Sequence, residues 1–173
     1  ANIELIEGNF DNALEKINLI GEAAVNSSDQ LLNLKGRVLA AQKKDEAAET
    51  VFKQAIEADP EKFFNYQTLL FFYQARKKLE KAKTLLHEMA EKFPDKPQTH
   101  LLLAGLYRTE GNLDKIEAEL TKAVEISPDS ERYRILLANF YMTSGQTDKA
   151  EEALKAAQSD FPGNEDVETE LAT

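Results

Sequence analysis

Side chains that commonly perform catalysis or bind metals are scarce in this chain. It contains no Cys and only two His, His87 and His100. His87 has no second His or Cys one helical turn away, and His100 occupies a repeat position that bulky core side chains fill. Ser27 and Ser28 have no His near them in sequence, and no glycine-rich phosphate loop is present. The sequence therefore predicts no catalytic residue, no metal site and no cofactor.

Acidic side chains are numerous but unevenly distributed. The 173 residues include 31 Asp and Glu against 21 Lys and Arg, a net charge of -10, which argues against nucleic acid as the main partner. Four stretches, 30–42, 62–76, 96–109 and 132–146, contain no Asp or Glu but retain eight Lys and Arg. Burial alone would deplete both signs of charge, so these stretches predict a surface for an acidic ligand.

A 34-residue period organises the same stretches. Four prolines repeat at this spacing, Pro60, Pro94, Pro128 and Pro162. Other columns repeat with them: Gly36, Leu70, Ala104 and Ala138; then Leu39, Tyr73, Tyr107 and Tyr141; then Ala48, Ala82, Ile116 and Ala150. We expect the three Tyr side chains of the second column to be largely buried between paired helices.

Each copy of the period contains two segments of helical periodicity, joined by a turn. The turns begin at Lys43, Lys77, Gly111 and Gly145. The predicted helix pairs are 30–42 with 45–58, 62–76 with 79–93, 96–110 with 113–126, and 130–144 with 147–160. No segment alternates polar and apolar residues, so no strand is expected, and no apolar run is long enough to span a membrane.

These columns resemble those of the tetratricopeptide repeat (TPR) family, whose unit is a helix-turn-helix of this length. The resemblance covers the whole chain. It implies an all-α fold, a right-handed superhelical solenoid of antiparallel helix pairs. The predicted units are a partial repeat at 1–28, four full repeats at 29–62, 63–96, 97–130 and 131–164, and a truncated or capping helix at 165–173. At the position of the usual large aromatic residue stand Leu32, Tyr66, His100 and Arg134.

The two ends of the sequence resemble interrupted repeats. We expect a fragment of a longer array, and a natural polar capping helix at the C-terminus is the alternative. Uncapped repeats expose their packing faces, so Leu5, Ile6 and Leu171 are expected to be under-buried and to favour self-association. The sequence indicates no compartment, and a cytoplasmic or a bacterial envelope location both stay open.

In TPR solenoids the first helix of each pair lines the concave surface, so the resemblance also implies the residues that contact a ligand. They are Asn33, Arg37, Phe64, Gln67, Phe71, Gln74, Leu101, Arg108, Arg132, Ile135, Asn139 and Met142, with Ala41 and Gly105 on the same face. This acid-free mixture suits a protein or peptide with apolar anchors and a carboxylate. Alternatively, Phe64 and Phe71 pack between helices.

The family's best-known peptide site, a Lys/Asn/Arg clamp for acidic chaperone tails, is not reproduced. Asn33, Arg37 and Thr68 stand at three of its positions. Two functions therefore remain for this non-enzymatic chain. One is a protein-interaction scaffold that binds a polypeptide in the concave groove. The other is an architectural spacer or self-assembly segment of a large TPR protein, such as one of the bacterial envelope.

Overall fold

The computed structural model describes residues 10–23 and 28–160, and these residues form nine helices and no strand. The helices are α1 (Phe10–Ala23), α2 (Ser28–Ala41), α3 (Asp45–Ala58), α4 (Phe63–Ala75), α5 (Leu79–Lys92), α6 (Pro97–Thr109), α7 (Leu113–Ile126), α8 (Glu131–Thr143) and α9 (Thr147–Asp160). The predicted helix ends agree to within two residues, and the all-α class is confirmed. Leu5, Ile6, Leu171 and the segment 165–173 lie outside the described residues.

The chain divides into two compact units, residues 1–85 and 86–173. In the first unit, α2 packs against α1 and α3, and α4 packs against α3. Ala13, Ile17 and Val38 form a buried cluster in this unit. The ring of Phe52, which is 1% exposed, lies 5.3 Å from the ring of Phe72 between ring centroids. The apolar columns of the sequence thus form the contacts between successive helices.

The second unit repeats this arrangement with α7 between α6 and α8, and with α9 packed against α8. Ala104, Ile116 and Leu120 form its buried cluster. Ala123 and Ala157 are fully buried. Their small side chains let the paired helices approach closely.

The turn inside each full repeat uses a left-handed backbone conformation. Gly111 and Gly145 have φ angles of 69° and 77°, as the repeat position predicts. Lys43 and Lys77 stand at the same position with φ angles of 60° and 55°. A Cβ atom disfavours this conformation by about 1 kcal/mol, so the two Lys residues are less suitable there than Gly.

A glutamate links one helix pair to the next in both units, and it is buried in the first unit and half-buried in the second. Glu49 of α3 accepts hydrogen bonds from the Tyr73 hydroxyl at 3.1 Å, from Lys78 Nζ at 2.9 Å and from Lys81 Nζ at 2.7 Å. Burial opposes its ionisation, but these donors and Lys53 outweigh burial and lower the pKa of Glu49 from 4.5 to about 2. The carboxylate is therefore ionised at neutral pH.

The same contacts recur two repeats later. Glu117 of α7 accepts hydrogen bonds from the Tyr141 hydroxyl at 3.1 Å and from Lys149 Nζ at 2.7 Å. The Lys149 hydrogen bond lowers the pKa of Glu117, and burial opposes it only in part. Tyr73 and Tyr141 are buried as predicted, but Tyr107 is only half-buried. The residue 24 positions before Tyr107 is Lys83, whereas a glutamate precedes the other two tyrosines by that spacing.

In two repeats, the position that usually holds a large aromatic residue binds a backbone carbonyl instead. His100 Nε2 lies 2.9 Å from the Pro94 oxygen, and Arg134 Nε donates to the Pro128 oxygen at 3.0 Å. His100 Nδ1 also lies 2.7 Å from Glu119 Oε2, and both side chains are buried. This pairing agrees with a structural role for His100.

Candidate functional site

A cleft of about 370 Å³ lies between α6 and α8 in the second unit. It is lined by Leu101, Ala104, Gly105, Arg108, Ile116, Leu120, Leu136, Asn139, Phe140 and Thr143. Ile116 and Leu120 of α7 are buried, so they form its floor. The volume is at the lower end of the ~300–1,000 Å³ typical of ligand pockets. It suits one or two side chains of a partner.

Helical geometry places the two walls. Leu101, Ala104, Gly105 and Arg108 are spaced so that they lie on one face of α6, and the four α8 residues of the lining have the same spacing. Most of this lining is apolar. The exceptions are Arg108 and Thr143 in the last turns of α6 and α8, with Asn139 one turn earlier. The cleft therefore has an apolar body and one polar, cationic end.

Five of the eight basic residues of the acid-free stretches fall into two groups. Some hold the fold together: Lys62 pairs with Asp29 at 2.8 Å, and Arg76 pairs with Asp45 at 2.8 Å. Two of the acid-free stretches begin just after a helix start, because α2 and α8 each carry one acid in the first turn, Asp29 and Glu131.

The second group consists of the three arginines predicted to face the ligand. Arg37, Arg108 and Arg132 are exposed, and none of their side chains has a hydrogen bond or ion pair within residues 10–23 and 28–160. An exposed guanidinium without an internal partner keeps its donors available for a carboxylate.

Unit 1 presents a different surface on α4. The side chains of Phe64 and Phe71 are 54% and 50% exposed, whereas the adjacent Phe72 is buried. Gln67 and Gln74 follow them at helical spacing on the same face. This face combines two exposed aromatic rings with two amides.

The predicted ligand residues are not all brought together. Leu101, Arg108 and Asn139 line the cleft, whereas three others on α8 do not, namely Arg132, Ile135 and Met142. Asn33 is 3% exposed, and its Nδ2 donates to Asn65 Oδ1 at 2.7 Å. It thus joins α2 to α4 below the surface.

Six lining residues were not predicted to contact a ligand: Ala104, Ile116, Leu120, Leu136, Phe140 and Thr143. The first three belong to apolar repeat columns or helical stripes. Periodicity cannot distinguish a core residue from the floor of a cleft.

Within the described ranges, no helix is long and apolar enough to cross a membrane. The same residues contain no group of three or more His, Cys, Asp or Glu side chains that could hold a metal ion.

Helix pairs at a constant 34-residue spacing define an α-helical repeat protein. Two family models, each described as a tetratricopeptide repeat, match residues 29–62 and 107–172. The chain belongs to the tetratricopeptide repeat family. No curated protein sequence matches it.

Solved structures support the same TPR solenoid fold. A thermophilic TPR protein from Thermus thermophilus, TTC0263, is 22% identical, with a TM-score of 0.60 over 96% of this chain and 91% of the other. MamA from Desulfovibrio magneticus RS-1 is 19% identical, with a TM-score of 0.63 over 95% and 92%. The TPR protein YrrB is 17% identical, with a TM-score of 0.61 over 99% and 88%.

Family membership gives the general function. TPR proteins are generally non-enzymatic scaffolds for protein interactions, and the TPR repeats of this chain support the same role.

Proposed function

We propose that this scaffold binds a polypeptide segment through its first helices, using apolar anchors and at least one carboxylate of the partner. The observation that carries the proposal is the cleft between α6 and α8, with an apolar body and the exposed Arg108 at its polar end. The transfer of an apolar side chain from water into such a cleft lowers the free energy of the complex, and Arg108 can bind a carboxylate of the partner.

Electrostatics favour an acidic partner. The chain carries a net charge of -10, yet Arg37, Arg108 and Arg132 stand in stretches without Asp or Glu. This distribution would attract a carboxylate to the first helices and repel it elsewhere. Exposed ion pairs contribute about 0–1 kcal/mol, so the arginines contribute mainly to specificity and to the association rate.

The α4 face supports a second contact region. Phe64 and Phe71 provide apolar area, and Gln67 and Gln74 can bond a peptide backbone. A structural neighbour, YrrB, is described as a TPR protein with an unusual peptide-binding site. That description concerns YrrB, and it supports the proposal because the two chains share a fold.

The test is a peptide-array screen with the wild-type protein and variants of each region. Phe71→Ala should weaken binding with little salt dependence, because the lost contact is apolar. Arg108→Ala and Arg132→Ala should weaken it more at low salt than at high salt, because salt screens exposed charges.

Two second-helix changes provide matched controls: Leu113→Ala removes a side chain that is 52% exposed, and Lys155→Ala removes an exposed cation. Both should bind as the wild type does. Enrichment of basic peptides, or hits that resist all three first-helix changes, would contradict the proposal. The architectural spacer would then be the better interpretation.

A further inference from the structure

The structure describes the surroundings of four glycines, and at three of them it explains why the residue is glycine. A Cβ atom at Gly36 would lie 2.5 Å from Cε1 of the buried Phe52. Gly111 and Gly145 have positive φ angles, which Gly adopts most easily. Gly105 differs, because its φ angle is not positive and a Cβ atom there would meet nothing within 4 Å.

Gly105 also lies in the interior of α6, where Gly is among the least favourable residues for helix stability. The same repeat position holds Arg37, Phe71 and Asn139 in the other repeats. Neither packing nor backbone conformation explains the glycine. Its effect is to leave open space in the wall of the cleft, between Leu101 and Arg108.

We propose that Gly105 determines specificity by admitting one large apolar side chain of the partner as far as Ile116 and Leu120. Arg108 binds a carboxylate close to that anchor residue. The inference rests on the proposed function. It specifies the ligand that the second unit of the protein binds, an apolar residue with a carboxylate beside it.

Helix geometry supports this pairing of contacts. Arg108 follows Gly105 by three residues, so both lie on one face of α6, about 4.5 Å apart along its axis. That distance is close to the rise of one residue in an extended peptide, about 3.4 Å. The carboxylate would therefore belong to the anchor residue itself, as a free C-terminus, or to the side chain of a close neighbour.

Four short peptides distinguish these two sources of the carboxylate. All contain one Leu in an otherwise Ala/Ser sequence. The first ends at Leu with a free acid and the second with an amide. The third has Leu-Asp before an amide, and the fourth has Leu-Asn. Matched sets replace Leu by Phe or Ala. Binding is followed by ¹H–¹⁵N chemical-shift perturbation of the labelled protein, which also detects weak ligands.

We expect the acid or the Leu-Asp peptide to shift resonances of α6 and α8, with the Ala set about tenfold or more weaker. Gly105→Ala should keep binding Leu, lose affinity for Phe and raise the melting temperature. Gly105→Leu fills the cleft and should weaken Leu peptides about tenfold or more. Arg108→Gln should remove the preference for acid over amide and for Asp over Asn.

The outcomes separate this inference from the proposed function. If Gly105→Leu binds the peptides as the wild type does, or if shifts occur only on α4, the cleft is not the anchor site. The proposed function would then survive. If no peptide shifts any first-helix resonance, both are overturned.

Discussion

Replacing Glu49 by Gln removes a buried charge and leaves the size and shape of the side chain almost unchanged. The pKa of Glu49 falls from 4.5 in its ordinary state to about 2 in the folded protein. At about 1.4 kcal/mol for each pKa unit, this corresponds to an upper limit of about 3–4 kcal/mol. The partner side chains of Lys53 and Lys81 are 55% and 54% exposed, so water screens part of the interaction. We expect Glu49→Gln to lower the free energy of unfolding by about 2 kcal/mol at pH 7.

The loss must depend on pH in a defined direction. Since folding lowers the pKa of Glu49, its ionised form stabilises the protein fully above the unfolded value of 4.5. This contribution is lost as the pH falls toward 2. The difference between wild type and Glu49→Gln should therefore be largest near neutrality and should shrink steadily between pH 5 and pH 2.

Urea unfolding followed by circular dichroism at pH 7, 5 and 3 measures the difference. Two matched variants calibrate it. Glu57→Gln, at an exposed position of the same helix, should change stability by less than about 0.5 kcal/mol. Glu117→Gln should cost less than Glu49→Gln, because the side chain of Glu117 is 29% exposed and that of Glu49 is 10% exposed. A loss at Glu49 below about 0.5 kcal/mol, or one equal at pH 3 and pH 7, would refute the reasoning.

Four further substitutions test the packing and the turns by thermal and urea unfolding. Gly36→Ala should lower the free energy of unfolding by about 1 kcal/mol, although Ala has the better helix propensity, because the new Cβ atom would collide with the buried Phe52 ring. Unchanged stability would contradict this contact. Lys77→Gly should stabilise by up to about 1 kcal/mol at its positive φ angle, and a loss would be the opposite outcome. Tyr73→Ala should cost about 3–5 kcal/mol and Tyr107→Ala less, since only Tyr73 is buried; equal losses would show otherwise.

Helix ends and turns could be predicted because the local sequence contains their physical cause. A proline cannot continue a helix, and Gly111 or Gly145 accepts the conformation that closes one. On α4, however, periodicity alone could not separate the exposed Phe71 from the buried Phe72, because apolar residues are distributed over all sides of this helix. There the family resemblance gave the orientation.

The candidate site was less predictable because it depends on contacts distant in sequence. The resemblance places Asn33 on the ligand surface, but its partner Asn65 lies 32 residues away and draws it into the interior. Gly105, which has no side chain, is part of the wall of the cleft. A residue without a side chain produces no periodic signal in the sequence. The cleft also requires Leu136 and Phe140 of α8 as its opposite wall, and their distance from Gly105 cannot be read from the sequence.

The buried Asn33–Asn65 pair has a consequence for the fidelity of folding. Repeats with similar apolar columns offer one another many alternative partners, since apolar surfaces distinguish poorly between neighbours. Asn65 Nδ2 also donates to the Ala55 and Asp59 oxygens, so the Asn65 amide is satisfied by three groups of the preceding repeat. Thr99 and Tyr133 stand at its position in later repeats and cannot replace it. A chain that joined α2 to the wrong repeat, or to a second molecule, would bury Asn33 Nδ2 and Asn65 Oδ1 without the hydrogen bond that joins them, and this loss disfavours the mispaired state.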